Sequence, residues 1–136
     1  MGVTILELPE PPRQGGGRSA HWRGQWAKLN AYKIDAWAAA VQQVKPSPDP
    51  PARVRVSLAY RFHSRRDPPN LYVDAKVVLD TLKQVHPTRD KLRWKSGMFL
   101  MRGYFVDDDL LEYGSVSQVV DRENRGVTVT IEVLTE

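Results

Sequence analysis

The chain predicts a single α+β domain, in the order β-α-β-α-β-β, with helices packed on a mixed sheet. Three observations predict it. Four stretches, 3–8, 53–63, 111–120 and 127–133, carry strand-like runs or alternation, and two, 30–44 and 71–85, carry apolar residues at helical spacing. The length of 136 residues fits one domain. A chain of this size buries roughly two-thirds of its extended surface, enough for an ordinary core.

The elements follow in order. Val3 to Leu8 is a short β-type run closed by Pro9, Pro11 and Pro12. Gln14 to Arg18, with three glycines, reads as a loop, and His21 to Trp26 as a basic, aromatic patch. Asn30 caps a helix to about Val44, with Ile34, Trp37, Val41 and Val44 as its apolar stripe. Lys45 to Pro51 is a stiff, proline-rich connector. From Arg53 to His63, Val54, Val56, Leu58, Tyr60 and Phe62 share one face. Arg53, Arg55, Ser57, Ala59, Arg61 and His63 share the other, so the strand is half-buried with a basic outer face. Leu71, Ala75, Val78, Leu79 and Leu82 define an amphipathic helix over 71–85. Lys83 to Arg102 is irregular and basic. Leu111 to Val120 is a strand, Asp121 to Gly126 a turn, and Val127, Val129, Ile131 and Val133 alternate to the end.

Charge and composition narrow the function. The formal net charge is +4, but residues 1–66 hold 11 Lys/Arg against 4 Asp/Glu, and residues 67–136 hold 9 against 12. The basic half points to a polyanionic partner. The acidic half points to gathered carboxylates, unless both are solvated charges placed by chance. With no cysteine, disulfides, thiolate zinc sites and cysteine nucleophiles are excluded, and a reducing compartment suits the chain. No apolar run approaches the ~20 residues of a membrane span, and the N-terminus lacks a signal-peptide core.

Asp67 follows a strand and opens a helix, with Arg65 and Arg66 before it. It is either an N-cap or a functional group displayed at a strand end. Asp107, Asp108 and Asp109 are either a solvated run or, brought to Asp67 by the fold, hard oxygen ligands for Mg²⁺. Such an ion activates water and stabilises a charged phosphoryl transition state. Lys76 and Asp80 lie one turn apart off the apolar stripe. They form an ordinary surface pair or place Lys76 toward the scissile phosphate. Asp74 lies about 200° around the helix from Lys76 and should point elsewhere. His21, His63 and His86 show no ligand spacing, and there is no P-loop, dinucleotide fingerprint or serine nucleophile motif.

Together, Arg65-Arg66-Asp67-Pro68-Pro69-Asn70-Leu71, Lys76, Leu79-Asp80-Thr81-Leu82 and Gly103-Tyr104-Phe105-Val106-Asp107-Asp108 resemble the RusA family of Holliday junction resolvases. The opening strand with its Pro-Pro pair and the closing Val127 to Ile131 strand agree. The resemblance spans most of the chain as one domain, with a basic insertion at about 83–102 as the chief exception. It implies a small Mg²⁺-dependent endodeoxyribonuclease, with Mn²⁺ as a substitute ion. Such enzymes are often phage-encoded and act as homodimers on four-way DNA junctions in recombination, repair or phage DNA processing. The cytoplasm of a bacterium or phage-infected cell follows as the location. By position, Asp67 and Asp108 match family aspartates, and Asp107 is the neighbour of the second. Lys76 matches the family lysine if a three-residue lengthening after Asn70 is allowed, as in a Pro-containing branch.

Two departures stand out. Pro69 occupies the place of the family's second aspartate and cannot ligate through its side chain. Asn70 or Asp80 supplies the missing oxygen, or one ion has fewer protein ligands, or activity is weak; Asp80 is the better candidate because it shares a face with Lys76. The 83–102 segment is longer than the family loop. Its Arg93 and Lys95 are expected on phosphates, while Trp94 or Phe99 either stacks at a branch point or covers the core or a dimer contact. Arg65, Arg66 and Asn70 are expected to position the DNA backbone. The alternative function is a non-cleaving junction-binding protein with a degenerate metal site. A weaker third reading, an unrelated basic adaptor, requires Asp67 and Asp108 to lie far apart.

Overall fold

Alternation along the second strand sets the inner face of the sheet, and the rest of the core is built on it. The computed structural model describes residues 2–13, 22–83 and 103–134, apart from the side chains of 22–26 and 108. The elements are β1 (Val3–Leu8), α1 (Trp22–Gln43), β2 (Val54–Phe62), α2 (Pro68–Leu82), a short 3₁₀ turn (Asp108–Leu110), β3 (Leu111–Val120) and β4 (Gly126–Val133). This is the expected α+β order. Val54, Val56, Leu58, Tyr60 and Phe62 are buried, as the alternation requires, and meet Leu6, Leu8, Val127, Val129 and Ile131 in one core. Each fully buried side chain of this kind contributes about 1.5–3 kcal/mol, so these ten outweigh any single polar contact.

The four strands form one mixed sheet in the order β1-β4-β2-β3. β4 runs antiparallel to both β1 and β2. β3 runs parallel to β2, with Val54 opposite Leu111 and Phe62 opposite Val120. Parallel neighbours need a crossover, and α2 provides it. A bulge sets Gly114 and Ser115 opposite Ser57, where the register shifts. A Cβ on Gly114 would stand 2.3 Å from Ser57 Oγ, and the Ser115 amide donates to that oxygen at 3.1 Å. Gly126 is held closely too: a Cβ there would lie 2.7 Å from the Leu8 carbonyl oxygen.

Both helices pack toward the inner face, α1 against β1 and α2, and α2 against β3. α1 starts at Trp22, eight residues before the expected cap at Asn30, so part of the basic, aromatic patch is helical. Its buried stripe is also different. Tyr32, Ala36, Trp37 and Ala40 face the core, whereas Ile34 and Val44 are exposed. Two alanines let the helix approach closely, and the Tyr32 hydroxyl donates to the Pro9 carbonyl at 2.9 Å. The expected α2 stripe of Leu71, Ala75, Val78, Leu79 and Leu82 is buried as read. The helix begins three residues early because Pro68 and Pro69 fit its first turn, where no N–H is needed.

After α2, the Tyr104 amide donates to the Leu82 carbonyl at 2.8 Å, Lys83 bridges Phe105, and the Val106 amide donates to the Pro51 carbonyl at 3.0 Å. The chain therefore leaves at Lys83 and re-enters at Gly103 at one place, beside the start of β2. Among the described residues no helix is long and apolar enough to cross a membrane.

Burial raises three tyrosine hydroxyls above their ordinary pKa of 10: Tyr32, Tyr60, and Tyr104, which is pushed up to about 12. The folded form thus holds these protons more tightly than the unfolded chain. Their stabilising contribution is intact below pH 10 and is lost as pH climbs toward about 12. Phenolate absorbance at 295 nm should rise together with loss of the far-ultraviolet circular dichroism signal. Early, CD-silent ionisation of all five tyrosines would contradict this.

Candidate nucleic-acid and metal site

The β2–α2 junction is built around a buried cation. Arg66 is only 6% exposed, and its Nη1 donates to Asp74 Oδ2 at 2.7 Å. Its Nη2 donates to the Pro11 carbonyl at 3.0 Å, and its guanidinium carbon lies 3.8 Å from the Phe62 ring centroid. Asp74 is 2% exposed. Burial pushes its carboxyl pKa up, and the Arg66 hydrogen bond and charge pull it only part of the way back. The Arg66 backbone is pinned from the other side: its amide donates to Gln118 Oε1 at 2.9 Å, and Gln118 Nε2 donates to its carbonyl at 2.7 Å.

This corrects one expectation. Arg66 does not reach DNA phosphates, because it is spent on Asp74 inside the protein. A guanidinium four residues beyond a strand of alternating pattern is not distinguishable from an exposed one by sequence. The signal that was present lies on α2. Asp74 falls on the apolar stripe between Leu71 and Ala75, and an acid there demands a cation.

Asp67, next in the chain, takes the N-cap position of α2 but makes no side-chain capping bond. The helix start is closed by backbone, with the Asn70 amide donating to the Asp67 carbonyl at 2.9 Å. Asp67, Arg65 and Asn70 are exposed together at this end. Lys76 is exposed in mid-helix and lines a recess of about 240 Å³ with Tyr72, Leu79, Leu111 and Tyr113. Asp80, one turn on, lies 3.4 Å from Lys83 Nζ. Asp107 is half-buried and Asp109 exposed in the turn that leads into β3. Asp108 lies between them, placed here by its backbone alone.

These residues form two groups rather than one. Because β3 is parallel to β2, Asp107–Asp109 lie beside the start of β2, while Asp67 follows its end. α2 separates them, and its 15 residues span about 22 Å. The strand register from Leu111 to Gln118 gives about the same separation at ~3.3 Å per residue. Within one chain, Asp67 and Asp108 therefore do not share an ion, which is the separation the adaptor reading requires, and Asp80 falls with the Asp107 group. Among the described residues no three Asp, Glu or His side chains come together as a ligand set. The carboxylates are hard oxygen donors of the kind Mg²⁺ takes, but a single copy does not gather them. Arg93 and Lys95, with Trp94 and Phe99, lie outside the described residues.

The basic outer face of β2 is also modified. Arg55 pairs with Glu112 at 2.7 Å, and Arg61 with Glu7 at 2.9 Å and Thr128 Oγ1 at 2.7 Å. Acids from other strands thus pair with two of the three arginines on this face. No family model matches the chain, and no curated protein matches it.

Removing one partner of the buried pair leaves an uncompensated charge. Asp74→Asn should cost about 3–5 kcal/mol of unfolding free energy in urea titrations. Arg66→Met combined with Asp74→Leu should recover most of that loss. If Asp74→Asn alone unfolds like the parent, the pair does not organise the junction.

Proposed function

We propose that the chain is a Mg²⁺-dependent, structure-selective DNA endonuclease acting on four-way junctions in the cytoplasm, as its resemblance to the RusA family implies. The observation that carries the reading is Asp67. It is an exposed N-cap carboxylate that does not cap its helix, on a junction held rigid by Arg66, Asp74 and Gln118. An acid so placed is available to an external cation.

The separation of the two acid groups requires a second copy. β3 is an edge strand of ten residues with Glu112 as its lone charge and neither Lys nor Pro to block pairing. Exposed Leu110, Tyr113, Val119 and Val120 lie along or beside it, and Tyr72 stands edge-on to Tyr113 at 5.3 Å. Antiparallel pairing of two such edges sets the C-terminal end of one β3 beside the N-terminal end of the other. Asp67 of one copy then comes to the same end of the joined sheet as Asp107–Asp109 of the other. The two-fold axis gives two such sites, one for each of two strands of a junction. Bound there, Mg²⁺ supplies charge neutralisation and a more acidic water. Lys76 offsets charge on the phosphoryl oxygens, Arg65 and Asn70 hold the backbone, and Asp80 with Lys83 buttresses the Lys76 side.

Pro69 favours a second reading. It serves the helix start and removes a carboxylate from that turn, which suits a protein that binds junctions without cutting them.

Junction cleavage in Mg²⁺ tests both. Asp67→Asn and Asp108→Asn should each abolish cleavage, and Lys76→Ala should slow it by about a hundredfold with junction affinity little changed. A mixture of the Asp67→Asn and Asp108→Asn proteins should regain nicking, because mixed dimers hold one intact composite site. No recovery sinks the two-copy site. No cleavage by the parent in Mg²⁺ or Mn²⁺, with tight binding retained, supports the second reading.

A further inference from the structure

The sheet end that carries Asp67 holds a second feature. Where β1 runs out, β2 exits and the β3–β4 turn passes, a cavity of about 380 Å³ opens, lined by Glu10, Arg13, His63, Ser64, Arg66 and Arg125. Three guanidinium groups border it and one carboxylate stands among them. Arg13 Nη2 donates to Ser64 Oγ at 2.9 Å, which aims an otherwise exposed arginine at the opening. Glu10 is incompletely matched. Arg66 Nη2 and Arg125 Nη1 stay 3.7 and 3.9 Å from its oxygens, beyond hydrogen-bond length, and the His63 amide reaches it at 3.3 Å. Arg66 is held on the inner side by Asp74 and the Pro11 carbonyl, so the outward-facing cations are Arg13 and Arg125. Two exposed arginines face one partly matched carboxylate, so the donors around this cavity exceed the acceptors.

A neighbouring recess of about 420 Å³ is lined by Pro9, Glu10, Arg122, Glu123 and Arg125. Arg122 is held there by its Nε donating to the His63 carbonyl at 3.3 Å. Glu10 and Arg125 belong to both recesses, so the two adjoin. A single seat suits any small phosphate. Two joined seats sharing an arginine suit consecutive phosphates of one polymer.

We infer that this double recess is a seat for the phosphodiester backbone of DNA, with Arg13 and Arg125 as its principal contacts and Arg122 at its extension. The choice of DNA rests on the endonuclease reading; the anion chemistry does not. The seat is separate from the acids and from Lys76, and it would hold a DNA arm against the Asp67 end of the sheet.

The test is the affinity for a labelled four-way junction in EDTA, measured by anisotropy over a salt series. Cleavage does not enter that readout. Arg13→Ala/Arg125→Ala should weaken binding about tenfold or more at moderate salt and reduce the log–log salt slope by about two. Arg53→Ala/Arg55→Ala, at the start of β2 and so at the opposite end of the sheet, should change neither. Both residues of the first pair are exposed, and an unchanged melting temperature confirms the fold. Parent-like affinity and slope in Arg13→Ala/Arg125→Ala overturn the seat, as does an equal loss in the control pair. Saturable binding of inorganic phosphate that this pair removes, with junction affinity unaltered, also overturns it in favour of a free-phosphate site. A parent that binds through the seat but never cuts keeps the seat and loses the endonuclease reading. A parent that cuts while the double variant binds normally does the reverse.

Discussion

Arg66 enters the interior as a cation, and the β2–α2 junction is arranged to make that tolerable. Burying an unmatched ion costs several kcal/mol. Here Asp74 on α2, the Pro11 carbonyl after β1 and the Phe62 ring on β2 converge on one guanidinium. Gln118 on β3 grips its backbone. One residue thereby ties four separate stretches of chain together at the same end of the sheet. The orientation of α2, the course of the chain beyond β1 and the position of Asp67 all depend on it.

That arrangement also explains the uneven charge along the sequence. The basic first half and the acidic second half do not form two surfaces. Arg55 meets Glu112 across neighbouring strands, and Arg66 meets Asp74 in the core. Part of the excess is consumed by pairs that join the two halves of the chain. The basic residues left over near the ends of β1 and β2 are fewer, and their location therefore carries more information than their number.

Much of the fold was legible because its signals are local. The alternation from Val54 to Phe62, the stripe from Leu71 to Leu82 and the turn before Gly126 each declare themselves within a dozen residues. α1 was harder. Alanines 36 and 40 score weakly as core residues, yet their small size makes the close packing, and Ile34 looked the better candidate on hydrophobicity alone. The position of Asp107 relative to Asp67 was not legible at all. An antiparallel β3 would have begun beside the end of β2 and brought the acids together. A parallel β3 begins at the other end. The alternation of the strand is identical in the two cases, and the 28 residues between α2 and β3 are long enough for either. The candidate residues could be named one by one, but their grouping was set by a strand direction that no local pattern encodes.

The bridge between Lys83 and Phe105 has a consequence for how this protein can change. Its two ends close the intervening stretch at a single point of the framework, pinned by backbone bonds at Tyr104 and Val106. Lengthening or shortening a closed loop alters its entropy only logarithmically, by about 0.6 kcal/mol for each doubling. Between Lys83 and Phe105 the chain can therefore gain or lose residues at little cost to the sheet, the helices and the buried ion pair.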